Sequence, residues 1–423
     1  VNVLEERSFI PGIEGPMKVE VSIDPSSRRL VDLEIKPMES SRFFEVILLN
    51  REAKAVPYIA SRICGICGYA HALCSAMAIE DAWRLEVPDS VRSLRELIAI
   101  LSTVNSHLFH LVTLLFTWLG RSRPISLNFK RNLIELMKVK THTIDKALNE
   151  LCGDKLHPRN IVPGGFTYLP SMNRVMSTLE GVNRLNKLVY GLVEELLSFD
   201  LLREEDFKTH YVALKNETRY GLLEGCISID SMIEIKVSNF KKYFIEQSIS
   251  GSPAKLCLLY GKESYMVGAL ARLNVNSCQE CEYRRWLHKL PSTNPYLIPI
   301  AQGVEVMKFL DIIQDLRREL RDEPRLVKPH HYPRRARGMS AIEAPRGLLY
   351  YEVEVISHKL TALDIITPTV QNLANMKDSL KYIVQRLLEG MKRAQIDEIR
   401  REAERLVQCY DPCIPCAVHV HET

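Results

Sequence analysis

The N-terminal stretch alternates apolar and polar residues: Val19, Val21 and Ile23, then Val31, Leu33 and Ile35, with Asp24-Pro25-Ser26-Ser27 between them. A period of two around a turn-forming centre predicts a β-hairpin. From Asp89 onward the period becomes helical. Asp89 or Ser90 can cap a helix that Gly120 ends, roughly 30 residues and so about 45 Å long. A second helix is expected from about Leu127 to Cys152, stopping at Gly153. A third runs from Ser171 to about Leu197, where Leu or Val recurs at 182, 185, 189, 192 and 196. Further helices are expected near 300–320, 374–390 and 395–409, and strands at 225–236, 256–268 and 348–356. No internal repeat, low-complexity run or Gly/Ser linker divides the chain. The pattern fits one mostly helical α+β domain over residues 1–423, a bundle core of long helices with peripheral β-hairpins.

Composition narrows the function classes. A chain of 423 residues that is 46% hydrophobic can bury a large core. Its net charge of +4 gives nucleic-acid binding no support. The one basic cluster, Arg317 to Arg337, reads as a solvated surface or a partner contact. Leu94 to Leu119 is the most apolar segment, but Ser102, Asn105, Ser106, His107 and His110 interrupt it. It reads as a bundle helix rather than a transmembrane segment, with both histidines packing or facing a partner. The first residues, with Glu5, Glu6 and Arg7, have no leader-like apolar run. Eleven mostly scattered cysteines argue against a secreted disulfide framework and for reduced thiols or metal ligands.

Two cysteine pairs carry the candidate chemistry. Arg62-Ile63-Cys64-Gly65-Ile66-Cys67-Gly68-Tyr69-Ala70-His71 lies near one end, and Asp411-Pro412-Cys413-Ile414-Pro415-Cys416-Ala417-Val418-His419 near the other. A single C-x-x-C is weak; Cys278-Gln279-Glu280-Cys281 has the same spacing without Gly, Pro or His around it and reads as incidental. Cys74, Cys152, Cys226, Cys257 and Cys409 read as small buried apolar residues. In the outer pairs, Gly65 and Gly68 are expected to permit a tight turn, and Pro412 and Pro415 to stiffen one. If the fold joins them, four thiolates form one soft-metal site, suited to zinc, an iron–sulfur cluster or nickel.

These motifs resemble those of the catalytic large subunit of NiFe-hydrogenases. Further blocks follow the family's order: Ile13-Glu14-Gly15, Ser41-Arg42-Phe43-Phe44-Glu45, His157-Pro158 with Pro163-Gly164-Gly165, Glu343-Ala344-Pro345-Arg346-Gly347, and Thr367-Pro368-Thr369. The resemblance implies a nickel bound by Cys64, Cys67, Cys413 and Cys416, with Cys67 and Cys416 bridging to an iron that carries carbon monoxide and two cyanides. It implies reversible heterolysis of dihydrogen, with electrons leaving afterwards. Arg346 would sit over the metals, Pro368 and Thr369 would line the cyanide pocket, and Glu14 would relay protons beside Cys413. His71 would hydrogen-bond the sulfur of Cys67, and Asp411 would orient the Cys413 turn. Glu45, His419 and a backbone carbonyl near Ile365 would hold a separate magnesium or iron ion. Gly12, Pro16 and Ser61 depart from the family's common residues.

The resemblance also implies partners: an iron–sulfur small subunit, further electron-transfer subunits of flavin or heterodisulfide-reductase type, nickel-insertion factors, and an endopeptidase that removes the tail beyond His419. Cytoplasmic relatives linked to NAD(P), a deazaflavin or a heterodisulfide reductase look most similar. Three other readings stay open on the residues alone. They are a quinone-site subunit of a respiratory complex, which lacks the four cysteines; a structural zinc protein; and a regulatory hydrogen sensor.

Overall fold

The computed structural model describes residues 4–24, 26–38, 44–122, 126–198, 207–276, 286, 291–319, 327, 332–390 and 396–417. His419, Ser41 to Phe43, Cys278, Cys281 and the tail lie outside the described residues.

The expected N-terminal hairpin is present as β2 (Met17–Asp24) and β3 (Arg29–Pro37), with β1 (Leu4–Phe9) added antiparallel to β2. Met17, Val19, Val21 and Ile23 face inward in strict alternation. Val31 does not: a register shift opposite Ser22 and Ile23 turns it outward, 56% exposed, while Leu33 and Ile35 stay buried. One extra residue at a bulge reverses the side chain's face.

Helix α1 (Gly68–Trp83) follows the first cysteine pair. Helix α2 (Asp89–Ser122) is the long central helix. By length and composition its Asp89–Trp118 portion could cross a membrane, but 83% of its most apolar window is buried inside the protein. His107 and His110 of α2 are buried against α6 (Ile298–Glu319), where His107 Nε2 meets Glu305 at 3.0 Å and His110 Nδ1 meets Gln302 at 2.6 Å. Between these lie α3 (Leu127–Lys140), α4 (Val182–Leu197) and α5 (Ala269–Val275).

The second expected helix continues from α3 through a π-helical turn, Thr141–Asp145, to Lys146–Cys152, and ends at left-handed Gly153. The third is split by a tight turn at Leu179–Gly181, where glycine makes room for the Thr143 side chain. In α4 the residues at 182, 185, 189, 192 and 196 are buried, as their spacing predicts. Toward the C-terminus lie α7 (Pro368–Gly390), α8 (Ile396–Cys409) and a single turn at Ile414–Ala417.

Eleven further strands complete the described fold: Ile161–Val162 and Gly165–Phe166 pair with each other, and the other nine form three sheets. A four-stranded sheet joins β4 (His210–Lys215), β5 (Cys226–Ile229), β6 (Ile233–Ile235) and, parallel to β4, β9 (Tyr265–Met266). A hairpin joins β7 (Phe244–Ser248) to β8 (Lys255–Leu259). A meander joins β10 (Arg335–Ala344), β11 (Gly347–Ile356) and β12 (Lys359–Ile366). Only β11 of that meander was expected. At Gly338 of β10 a Cβ would strike the α1 backbone at Ala78 and Ala82, so strand and helix pack in direct contact. Arg335 and Arg337, from the basic cluster, are exposed and pair with Glu354 at 2.8 and 3.0 Å, as a solvated surface does. The buried apolar residues form one contiguous core across helices and sheets.

Candidate metal centre

Four sulfurs meet. The ligand atoms of Cys64, Cys67, Cys413 and Cys416 lie within 4.8 Å of one another, and all four residues are buried. Cys67 and Cys416 are 3.4 Å apart at sulfur, and Cys64 and Cys413 are 3.5 Å apart. The nine described cysteines are free thiols. Cys74, Cys152, Cys257 and Cys409 are buried away from this site, where burial raises their thiol pKa and keeps them neutral.

Each pair is fixed locally. Cys67 is the cap residue of α1, and the backbone N–H groups of Ile66 and Cys67 both point at Cys64 Sγ, 3.2 Å away. Neither Gly65 nor Gly68 adopts a positive φ. The expected need for a glycine turn is therefore replaced, at Gly68, by a need for space: a Cβ would lie 2.9 Å from the Leu156 carbonyl and 3.0 Å from His157 Nδ1. In the second pair the left-handed residue is Asp411, φ 50°. Aspartate tolerates this region better than most side chains. Beyond it, Cys413 N–H donates to Thr369 Oγ1 at 3.0 Å and Thr367 Oγ1 donates to the Cys416 carbonyl at 2.9 Å. Pro368 opens α7 between those threonines. Cys413 also bridges to Glu14, whose carbonyl accepts from Ile414 N–H at 2.9 Å.

Three charged groups crown the thiols. Arg346, 7% exposed, bonds the Asp411 carbonyl through Nε and Asp411 Oδ1 through Nη2 at 2.9 Å, with Glu14 Oε2 at 3.7 Å. Its Nη1 is buried with no partner among the described residues. Glu14 places its carboxylate oxygens 3.3 and 3.4 Å from Cys64 Sγ and meets Cys413 through a backbone bridge. The carboxylate expected beside Cys413 thus reaches Cys64. Burial and the negative charge of Cys64, opposed by Arg346, lift Glu14 to about 7.

The thiols divide unequally. Burial pushes Cys64 up, but hydrogen bonds from the other three thiols and the charge of Arg346 hold it well below the usual range. Burial and the neighbouring sulfurs hold Cys416 and Cys413 well above it. Only a cation among the sulfurs would favour four thiolates together.

His71 Nε2 lies 3.8 Å from Cys416 Sγ rather than against Cys67, and Nδ1 lies 2.7 Å from the Tyr351 hydroxyl. His71 follows Cys67 by one turn of α1, its N–H bonding the Cys67 carbonyl, and its ring meets the sulfur of Cys416, which itself lies 3.4 Å from Cys67 Sγ. Burial lowers His71 to about 4, a neutral ring. Tyr351 was missed because nothing in the strand pattern of β11 sets it apart from its neighbour Tyr350. Glu45 lies apart from the thiols, and its Oε1 accepts from Ile365 N–H at 3.2 Å. The peptide donor of Ile365, not its carbonyl, faces this carboxylate. Glu343 turns away from the thiols and accepts from Leu214 N–H at 2.8 Å. A surface cleft of about 430 Å³ is lined by residues such as Glu80, Arg95 and Arg219 and contains no thiol of the cluster.

The donor set fits a soft metal with added ligands. Four converging sulfurs offer coordination, Arg346 Nη1 is an unused buried donor, and the Thr369 hydroxyl keeps its own hydrogen after accepting from Cys413.

Comparison with known proteins agrees. Residues 42–117 and 303–419 match the nickel-dependent hydrogenase family. Sulfhydrogenase 1 subunit alpha of Pyrococcus furiosus is 28% identical over 97% of this chain and 96% of its own. An NAD+-reducing [NiFe]-hydrogenase crystal structure superposes with a TM-score of 0.82 at 21% identity, covering 99% of this chain and 100% of that one. The Ni-Fe-Se hydrogenase of D. vulgaris Hildenborough superposes with a TM-score of 0.79 at 21% identity over the same shares. With its four-cysteine site joined from both ends of a hydrogenase large-subunit fold, the chain belongs to the nickel-dependent hydrogenases as a catalytic subunit, an oxidoreductase acting on dihydrogen.

Proposed function

We propose that Cys64, Cys67, Cys413 and Cys416 hold a nickel–iron group, Cys67 and Cys416 bridging the two metals and the iron carrying carbon monoxide and two cyanides. The observation that carries this is the convergence of four buried sulfurs beneath an arginine with an unused donor. When bound, the group would supply the Lewis acidity and redox chemistry that split dihydrogen. The chain's residues do the rest. Arg346 presents a fixed positive fork over the sulfurs and offers Nη1 to an anionic ligand. The Thr369 hydroxyl offers a second donor beside Pro368. Glu14, in contact with Cys64 and partly open to the surface, accepts a proton from a thiol and passes it outward. Neutral His71 supports Cys416, and Asp411 locks Arg346 and the Cys413 turn together.

Glu45, with His419 and the backbone at Ile365, would hold the separate magnesium or iron ion near the C-terminus. An iron–sulfur small subunit would take the electrons and pass them to flavin or heterodisulfide-reductase partners in the cytoplasm. Nickel-insertion factors and an endopeptidase acting beyond His419 would complete the site. Infrared spectroscopy of natively matured protein, with nickel and zinc analysed on the same sample, tests the reading. One carbonyl band, two cyanide bands and about one nickel per chain are expected. Zinc alone, without such bands, overturns it.

A further inference from the structure

Arg272 of α5 is fully buried, at 0% exposure, and all five of its N–H donors are used. Nε and Nη2 form a fork to the two oxygens of Glu305, both at 2.7 Å. The other three bonds go to three consecutive residues: Nη1 to Glu343 Oε2 at 3.0 Å and to the Ala344 carbonyl at 2.9 Å, and Nη2 to the Pro345 carbonyl at 3.1 Å. The next residue is Arg346.

The same bend is held from its other side. Gly268, the residue before α5, has φ 114°, and a Cβ there would lie 2.9 Å from the Arg346 carbonyl. Gly347 has φ 129°, and its Cβ would lie 2.7 Å from Gly268 N. The bend between β10 and β11 therefore sits directly on the start of α5, and one guanidinium ties it there. A buried ion cluster is a poor source of stability, since apolar replacements of such groups are often neutral or better. Its particular contribution is direction, because a planar fork fixes carbonyls at set angles.

We infer that Arg272 is a positioning residue for Arg346, holding the 343–346 bend so that the Arg346 guanidinium stands over the thiols. Arg272 touches no sulfur in this arrangement and acts only through the backbone it grips. The inference rests on the role of Arg346 given under Proposed function.

A double-mutant cycle on the matured complex tests it, using Arg272→Lys, Arg346→Lys and the pair. Nickel content, metal-ligand infrared bands and dihydrogen turnover are read together. Arg272→Lys keeps the charge but loses the fork. The expected result is unchanged nickel, bands shifted in the same sense as in Arg346→Lys, and turnover lower by roughly 10- to 100-fold. The pair should be no slower than Arg346→Lys alone. Wild-type bands and turnover with only a lower melting temperature overturn the inference, as do losses that multiply in the pair. Should Arg272→Lys fail to mature, Gly268→Ala disturbs the same junction while leaving every ionic partner in place. Reduced turnover at full nickel, not additive with Arg346→Lys, then supports it, and wild-type turnover overturns it. If Arg346→Lys alone leaves turnover intact, the role given to Arg346 fails first and this inference falls with it.

Discussion

Two buried polar centres share the loop around Arg346, and they are built on opposite principles. Around Arg272, every donor of the cation is matched to an acceptor, and Tyr220 and His107 complete the shell of Glu305 at 2.5 and 3.0 Å. The protein satisfies every donor of that cation by itself, and only His107 Nδ1, on the far side of the ring from Glu305, is left without a partner among the described residues of this centre. At the thiol cluster, two pairs of sulfurs stand 3.4 and 3.5 Å apart, Arg346 Nη1 has no partner among the described residues, and the protonation states are uneven. Since buried polar groups are costly unless paired, an open centre points to a missing group. A closed one points to a purely internal task.

Breaking the open centre should remove chemistry and leave the fold. Cys413→Ser is nearly isosteric, so matured protein should contain no bound nickel and show background turnover, while circular dichroism and solubility match wild type. Retained nickel with a lost fold would reverse the contrast. Glu14→Gln should keep nickel and band positions but slow dihydrogen–deuterium exchange by roughly 100-fold or more. Equal exchange rates at equal nickel loading would remove Glu14 from the proton route.

Changing the acidic shell of the closed centre, with Arg272 left in place, should be read first in stability. Burial raises Glu343 to about 7, although Arg272 and the Leu214 peptide oppose it. Glu305, also opposed by burial, is drawn down to about 2 by the Arg272 fork and His107. The two differ because Glu305 takes the bidentate contact and Glu343 a single one. Because Glu343 is raised, folding favours its protonated form. Its contribution is present below its ordinary value of 4.5 and is lost as pH rises through about 7. Over that window stability should fall by on the order of 3 kcal/mol, and Glu343→Gln should flatten the slope in thermal melts. An unchanged slope would assign the fall to other groups. Tyr220→Phe is the mildest change: it removes one hydrogen bond to Glu305 and should cost about 1–3 kcal/mol by denaturant titration, with nickel content unaffected.

The sequence by itself determined a good deal. The spacing at 182, 185, 189, 192 and 196, the stop at Gly153 and the inward set Val19, Val21 and Ile23 follow from local periodicity, and each is buried or capped as that predicts. The cysteine pairs marked a soft-metal site by residue type, and their motifs, with those around Glu14, Arg346 and Thr369, pointed to the family by resemblance. Tertiary structure decided what depends on contacts between distant segments. The bulge that turns Val31 outward shows only in the pairing of β3 with β2, not in β3's composition. Strands β10 and β12 owe their pairing to β11, and Gly68 and Gly338 are needed for neighbours far away in sequence. Arg272 was invisible in an apolar helix because its partners come from α6 and from the bend beside Arg346. A chain specifies its own periodicity locally, but which polar groups are completed and which are left open is settled only when distant segments meet.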